Sequence, residues 1–350
     1  MERKILMREK IRCAVLGLGR LGYWHAENLA QKVKGAELTF VIDPLKGRAE
    51  QVAKELGVEK WSQNPDDAFH DDNVDAVVIV TPTSTHADMI TRAAENGKQI
   101  YVEKPITQTL EDADKVIDVI EKQNVICQVG FMRRFDPAYA EAKKRIELGD
   151  IGKPLYFKGV SRDGNVPHEE FIKNSGGIFL DVAIHDYDIA RFLMNQEVTF
   201  VHSTGSILLD SNRFMEKYND VDQGLTYLTF DSGASGDIET MRVAPYAYDI
   251  RGEVVGTEGA IQIGSMRSTD VKLLTNNGST HDLIQDFPSR FEDAYLLEMV
   301  SFIDSLQKDE KPICTEVDGK AALEIAAAAT QSFSSGETVE LNRGKVKSML

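Results

Sequence analysis

The sequence predicts an α/β chain in two parts, a doubly wound parallel sheet followed by an α+β domain built on an antiparallel sheet. Three observations predict it. Short, almost wholly apolar runs alternate with helical segments from Ile11 to Phe131. A glycine-rich turn, "GLGRLG", follows the first of those runs directly. Beyond the helix "DPAYAEAKKRIELGDIG" the pattern changes to strands linked by turns.

In order, the first runs are "IRCAVLGLG", "ELTFVID", "DAVVIVTP", "QIYVEKP" and "VICQVGF". Runs apolar nearly throughout suit strands covered on both faces of a parallel sheet. The segments between them are helical; in "TLEDADKVIDVIEKQN", Ala113, Val116, Ile117 and Ile120 fall on one helical face. Proline restricts the residue before it to extended geometry, so the strand in "QIYVEKP" should stop at Lys104–Pro105. The later runs "PLYFKGVSRD", "VTFVHSTGSIL", "DQGLTYLTF", "SGDIETMRVA", "IRGEVVG" and "VKLLT" read as an antiparallel sheet with one exposed face. Two helices close the chain, "FEDAYLLEMVSFIDSLQ" and "VDGKAALEIAAAATQSFSSG", the second stopped by Gly336. The expected boundaries are an extension over 1–10, a parallel-sheet domain over 11–131, a second domain over 132–334 and a C-terminal segment over 335–350.

Composition narrows the function classes. The 350 residues carry 40 Lys and Arg against 56 Asp and Glu, a net charge of −16 without long runs of one sign. Such a surface repels phosphate backbones and anionic membranes, so neither nucleic acid nor a membrane is an expected partner. Cys13, Cys127 and Cys314 lie far apart, the pattern of a reduced protein without a disulfide framework or a zinc site. No apolar run approaches the ~20 residues that cross a bilayer. The start "MERKILMREK" lacks the apolar core of a signal peptide and reads as a short extension, with Met7 a possible alternative start. The expected location is the cytoplasm.

The glycines Gly17, Gly19 and Gly22 have G-x-G-x-x-G spacing. Alone the pattern is weak. Here it follows a strand, opens a helix and sits in a βαβ unit, the setting in which glycines admit a pyrophosphate to a helix N-terminus, beside Arg20 and Leu21. The second strand ends in Asp43, placed to bind the adenosine ribose hydroxyls and to repel a 2′-phosphate, which selects NAD over NADP. The plainer role for Asp43 is to cap the next helix. In "VTPTSTHADM", Thr81, Pro82 and Thr83 should lie along the dinucleotide, and Ser84 or Thr85 should cap a helix. His86 either borders the cofactor or is a solvated histidine. Lys104, at the same sheet edge, is placed to bind a substrate hydroxyl and stabilise an alkoxide, with Glu103 reaching the ribose or positioning the lysine. In "NSGGIFLDVAIHDYDIARFL", Asp181 and His185 stand four apart on one expected helix, which reads as a proton-handling pair. They supply only two metal ligands, so no metal is expected.

Together, "GLGRLG", Asp43, "TPTSTH", "EKP" and "GGIFLDVAIHDYD" resemble the family of glucose-fructose oxidoreductase, inositol dehydrogenase and rhizopine catabolism proteins, over nearly the whole chain. The resemblance implies a Rossmann domain, a C-terminal α+β domain with a large, mostly antiparallel sheet, and a homotetramer formed through that sheet. It implies catalytic roles for Lys104, Asp181 and His185. The stretch "GFMRRFDPAYAEAKKRIELGDIGKPL" is most similar to the inositol dehydrogenases, which implies Met132 at the nicotinamide and Arg133 at a polyol. A surface salt bridge is the plainer role for Arg133. Asp163 and Asn165 in "SRDGNVP", and Tyr246, are further implied hydroxyl ligands. Relatives acting on myo-inositol often carry threonine after the aspartate, where this chain has Val182, which tilts the expected substrate toward scyllo-inositol. The alternatives are a dehydrogenase of another sugar, such as an aldose, and a non-catalytic NAD-binding regulator.

Overall fold

The computed structural model describes residues 10–341. The expected extension 1–10 therefore lies outside the described residues except for Lys10, and the C-terminal segment is described only to Leu341. The chain divides into two compact units. One comprises the residues up to Phe135 with Asp293–Lys320, and the other Asp136–Glu292 with the chain from Ala321.

The first unit alternates strands and helices in the order β1 (Ile11–Leu16), α1 (Arg20–Gln31), β2 (Ala36–Ile42), α2 (Arg48–Leu56), β3 (Lys60–Ser62), α3 (Asp66–Phe69), β4 (Ala76–Ile79), α4 (His86–Glu95), β5 (Gln99–Glu103), α5 (Leu110–Gln123) and β6 (Cys127–Gly130). All pairings are parallel, in the order β3-β2-β1-β4-β5-β6. The order reverses between β1 and β4, so the loops after these two strands diverge and leave a crevice at their carboxyl ends. β4 and β6 are buried along their length, as continuous apolar runs require. α5 starts at Thr109, whose hydroxyl accepts the Asp112 N–H, and stops at Asn124 in the left-handed region.

The second unit continues with α6 (Pro137–Glu147), β7 (Pro154–Arg162), α7 (Glu169–Ser175), α8 (Ile178–Asp181), α9 (Ile184–Met194), β8 (Val198–Ser206), β9 (Gln223–Phe230), β10 (Ser235–Met241), β11 (Asp249–Gly256), β12 (Ala260–Ile263), β13 (Leu273–Thr275) and β14 (Gly278–Thr280). Two long helices follow, α10 (Phe287–Lys308) and α11 (Glu316–Ser335), then β15 (Val339–Glu340). The large sheet runs β12-β11-β7-β10-β9-β8-β15. Every pairing is antiparallel except β7 with β10. In β9, Gly224, Thr226, Leu228 and Phe230 are buried while Leu225 and Tyr227 are exposed, the alternation of a sheet covered on one face.

Three expectations change. Residues 293–320, assigned from sequence to the second domain, belong to the first unit. Met299, Phe302, Ile303 and Leu306 form one apolar stripe of α10 and join the core of Val15, Leu38, Val41, Val78 and Tyr101. Full burial of each such side chain contributes about 1.5–3 kcal/mol. "VKLLT" is not part of the large sheet, because β13 pairs only with β14 across a tight turn. The single helix expected to carry Asp181 and His185 is two, α8 and α9, joined by Val182–Ala183. There the Ala183 N–H reaches back five residues to the Ile178 carbonyl (3.0 Å), and the Asp186 N–H only three to Ala183 (2.9 Å), so the turn loosens and then tightens. No helix among the described residues is long and apolar enough to cross a membrane.

Candidate active site

At the end of β1, Gly17 adopts φ +88° and its N–H bonds the Ile42 carbonyl at 2.8 Å. A Cβ on Gly17 would stand 2.6 Å from the Val80 carbonyl oxygen, and one on Gly22 would stand 1.9 Å from the Gly17 oxygen. Both positions therefore exclude side chains, and they bring the turn, α1 and β4 together. A Cβ on Gly19, at the N-terminus of α1, would meet nothing within 4 Å, and no side chain caps that terminus. The first turn thus presents the positive end of a helix to open space, with Arg20 and Leu21 as its first residues. That arrangement fits a dinucleotide pyrophosphate.

Asp43 closes the turn from the end of β2. Its Oδ2 accepts the Leu18 N–H at 2.7 Å and its Oδ1 accepts the Leu45 N–H at 2.9 Å. Asp43 therefore does not cap the next helix, since α2 follows Gly47 with no side-chain cap; its two bonds instead fix the carboxylate beside the glycine turn. After β4, Thr83–Thr85 form a 3-10 turn. Neither Ser84 nor Thr85 caps α4; the Thr85 hydroxyl instead bonds Thr81 Oγ1 and the Pro82 carbonyl. His86 is not solvated, being 1% exposed. Its ring nitrogens lie 2.9 Å from the Pro105 carbonyl and 3.0 Å from the Thr81 carbonyl, so it clasps the loop after β4 to the loop after β5. Burial pushes its pKa down, while the two carbonyls oppose that shift.

β5 ends at Glu103, and half-buried Lys104 follows in a cis linkage to Pro105. Glu103 is buried and turned inward. Its Oε1 accepts the Tyr101 hydroxyl at 2.9 Å and lies 3.0 Å from His25 Nε2. Glu298 from α10 completes the group, 3.9 Å from the same imidazole nitrogen. Burial first, then the Glu103 charge, raise the pKa of Glu298 well above the usual carboxylate value. Donor atoms of His25, Glu103 and Glu298 lie within 4.8 Å of one another, the one cluster of this kind among the described residues. Sequence reasoning missed it, because its members come from three distant segments without a shared motif. Met132 and Arg133 occupy a buried 3-10 turn after β6. Arg133 is only 2% exposed, which rules out the surface salt bridge.

In the second unit, Asp181 ends α8 and His185 lies in the first turn of α9. Arg242, fully buried just past β10, donates from Nη1 to Asp181 Oδ2 at 3.0 Å. Its Nη2 lies 3.6 Å from Asp220 Oδ2. Asp220 Oδ1 accepts the N–H groups of Ile178 (2.7 Å) and Val221 (2.9 Å), so it caps α8 from outside the helix. Burial raises the Asp220 pKa, and Arg242 acts against the rise. Arg242 was not singled out from sequence. Asp163 stands one residue past β7, with its N–H on the Met241 carbonyl at 2.8 Å, and Asn165 is exposed. Tyr246 is otherwise engaged. Its hydroxyl donates to Asp249 Oδ2 at 2.8 Å and accepts from Arg162 Nη1 at 2.7 Å, within a network that includes Glu239 and Arg251. Val182 is 7% exposed.

A six-stranded parallel sheet with an open, uncapped helix N-terminus at its switch point is a dinucleotide-binding fold, and the chain is an NAD-dependent oxidoreductase acting on CH–OH groups. The chain belongs to the Gfo/Idh/MocA oxidoreductase family: its NAD-binding Rossmann fold matches residues 11–131 and its C-terminal alpha/beta domain matches residues 143–341. The chain is 57% identical over 336 residues to scyllo-inositol 2-dehydrogenase (NAD(+)) of Bacillus subtilis, covering 96% of this chain and 98% of the relative. It is 39% identical over 332 residues to myo-inositol 2-dehydrogenase of Thermotoga maritima, covering 95% and 98%. Among solved structures, scyllo-inositol dehydrogenase from Lactobacillus casei with bound NAD(H) and scyllo-inositol superposes with a TM-score of 0.89 at 31% identity, covering 95% of this chain and 99% of the other.

Proposed function

We propose that the protein oxidises scyllo-inositol, in preference to myo-inositol, to a keto-inositol with NAD. The 57% identity to the Bacillus subtilis enzyme, spread over 96% of the chain, carries this reading. The residue set read from sequence supports it. Gly17, Gly19, Arg20, Leu21 and Gly22 hold the pyrophosphate, Asp43 the adenosine ribose, and Thr81, Pro82, Thr83 and Met132 the nicotinamide end. When bound, NAD supplies the hydride acceptor. His185 takes the hydroxyl proton from the carbon to be oxidised, and the Lys104 ammonium donates to the same oxygen and offsets the charge that develops there. Asp181 accepts a hydrogen bond from a ring hydroxyl and so orients the substrate. Arg133, Asp163 and Asn165 complete the polyol site. His86 acts through the two loops it clasps, and Glu103 through its bonds to Tyr101 and His25 at the base of Lys104. We further place the protein in the cytoplasm as a homotetramer, with exposed Phe200, Leu225 and Tyr227 on the outer sheet face as the apolar contact surface.

The test is NADH formation from NAD⁺ with scyllo-inositol, myo-inositol and D-glucose in parallel, repeated with NADP⁺. The expected order is scyllo-inositol before myo-inositol, with NAD⁺ before NADP⁺, and loss of turnover in Lys104→Ala and His185→Ala. Activity confined to glucose would overturn the substrate class.

A further inference from the structure

We infer that Arg242 is a positioning residue for the oxidation, holding the Asp181 carboxylate where it meets the substrate. The inference rests on Asp181 acting on the substrate, as proposed above.

The first observation is where the guanidinium sits. Arg242 follows β10 directly, and it continues the parity of Ile238 and Thr240, both turned to the buried face. A fully buried guanidinium is stable only when acids answer its charge. Two do, and they come from separate segments with different tasks. Asp220 is buried and already holds the Ile178 and Val221 N–H groups, so its place is structural. Asp181 has a side chain 20% exposed, open enough to meet a ligand.

The second observation is how the guanidinium spends its donors. Nη1 bonds Asp181 at 3.0 Å. Among the described residues, Nε and Nη2 have no hydrogen-bond partner, and Nη2 reaches Asp220 only at 3.6 Å. The close, directional bond therefore goes to Asp181, and Asp220 contributes charge at longer range. Neighbouring strands pin the backbone on both sides. The Arg242 N–H bonds the Asp222 carbonyl at 2.8 Å, and the Met241 carbonyl accepts the Asp163 N–H at 2.8 Å. Asp181 ends a four-residue helix that gives way to the loosened turn at Ala183. The arginine tethers its carboxylate from outside that segment.

The test compares three variants with the parent: Arg242→Lys, the double variant Arg242→Met with Asp220→Asn, and Asp181→Asn as reference. The double variant removes both buried charges, which guards the fold. Turnover is normalised to NADH-binding sites counted by fluorescence titration. The expected result is a fall in kcat per site of roughly ten- to hundredfold in the double variant, as a misplaced orienting group produces. The KM for NAD⁺ should not change, and Arg242→Lys should recover most of the loss. A double variant with parental kcat per site, beside an impaired Asp181→Asn, would overturn the role of Arg242 while leaving that of Asp181 intact. An unimpaired Asp181→Asn would overturn the assignment of Asp181, and the inference with it.

Discussion

Replacing Glu298 with glutamine should stabilise the first unit, and by more as the pH rises. Glu298 is fully buried near the Glu103 carboxylate, and burial first, then that charge, raise its pKa. A folded-state pKa above the unfolded value means that the folded form keeps a proton that the unfolded chain releases. The stabilisation from that proton is complete below the unfolded value of about 4.3 and is lost as pH rises toward the folded value. The loss is about 1.4 kcal/mol for each pH unit over which only the folded side chain stays protonated. Glutamine has the shape of the neutral acid and nothing to titrate, so Glu298→Gln removes that slope. Both tryptophans, Trp24 and Trp61, belong to the unit that contains Glu298, so their fluorescence follows its unfolding. Thermal or urea melts at about pH 5 and about pH 8 should show a small advantage for the variant at the lower pH and a larger one at the higher pH. At this unit size each kcal/mol is worth about 2–4 °C in Tm. A difference between variant and parent that does not change with pH would refute the protonated acid. So would a variant less stable than the parent throughout, since Glu298 would then be an ionised partner of His25.

Two other expectations follow from the site geometry. Gly22→Ala puts a Cβ 1.9 Å from the Gly17 oxygen, so the turn must open; NAD⁺ binding measured by calorimetry should be lost together with several degrees of Tm, whereas retained affinity would show that the turn tolerates the shift. Tyr246→Phe removes a hydroxyl bonded to Asp249 and Arg162, so stability should fall by about 1 kcal/mol in denaturant melts, with kcat and substrate KM unchanged. A raised KM for inositol would return Tyr246 to the polyol site.

Much of this was legible in the sequence because local rules governed it. The glycine turn needs three residues and a strand before them, and Asp43 lies where the second strand of such a unit ends. Strand parity could also have found Arg242, since a charged residue that continues the buried alternation of Ile238 and Thr240 must have an acid partner. What stayed hidden depended on long-range choices. An amphipathic stripe shows that α10 covers a sheet, but not which one. Nothing in "LDVAIHD" announces a break between Asp181 and His185, because the chain there keeps right-handed helical angles while its hydrogen bonds change span. The burial of His86 is of the same kind. Its carbonyl partners belong to two loops, and only the sheet order brings them within reach.

The return of α10 to the first unit has a consequence for how the protein is made. β1 leaves the ribosome long before the stripe from Met299 to Leu306 that shares its core. Until then α1 and α2 cover that core without α10, and the nascent chain carries an incomplete half-domain with sticky apolar surface still exposed. Interruption of translation anywhere before α10 therefore leaves a product that cannot finish its own oldest part.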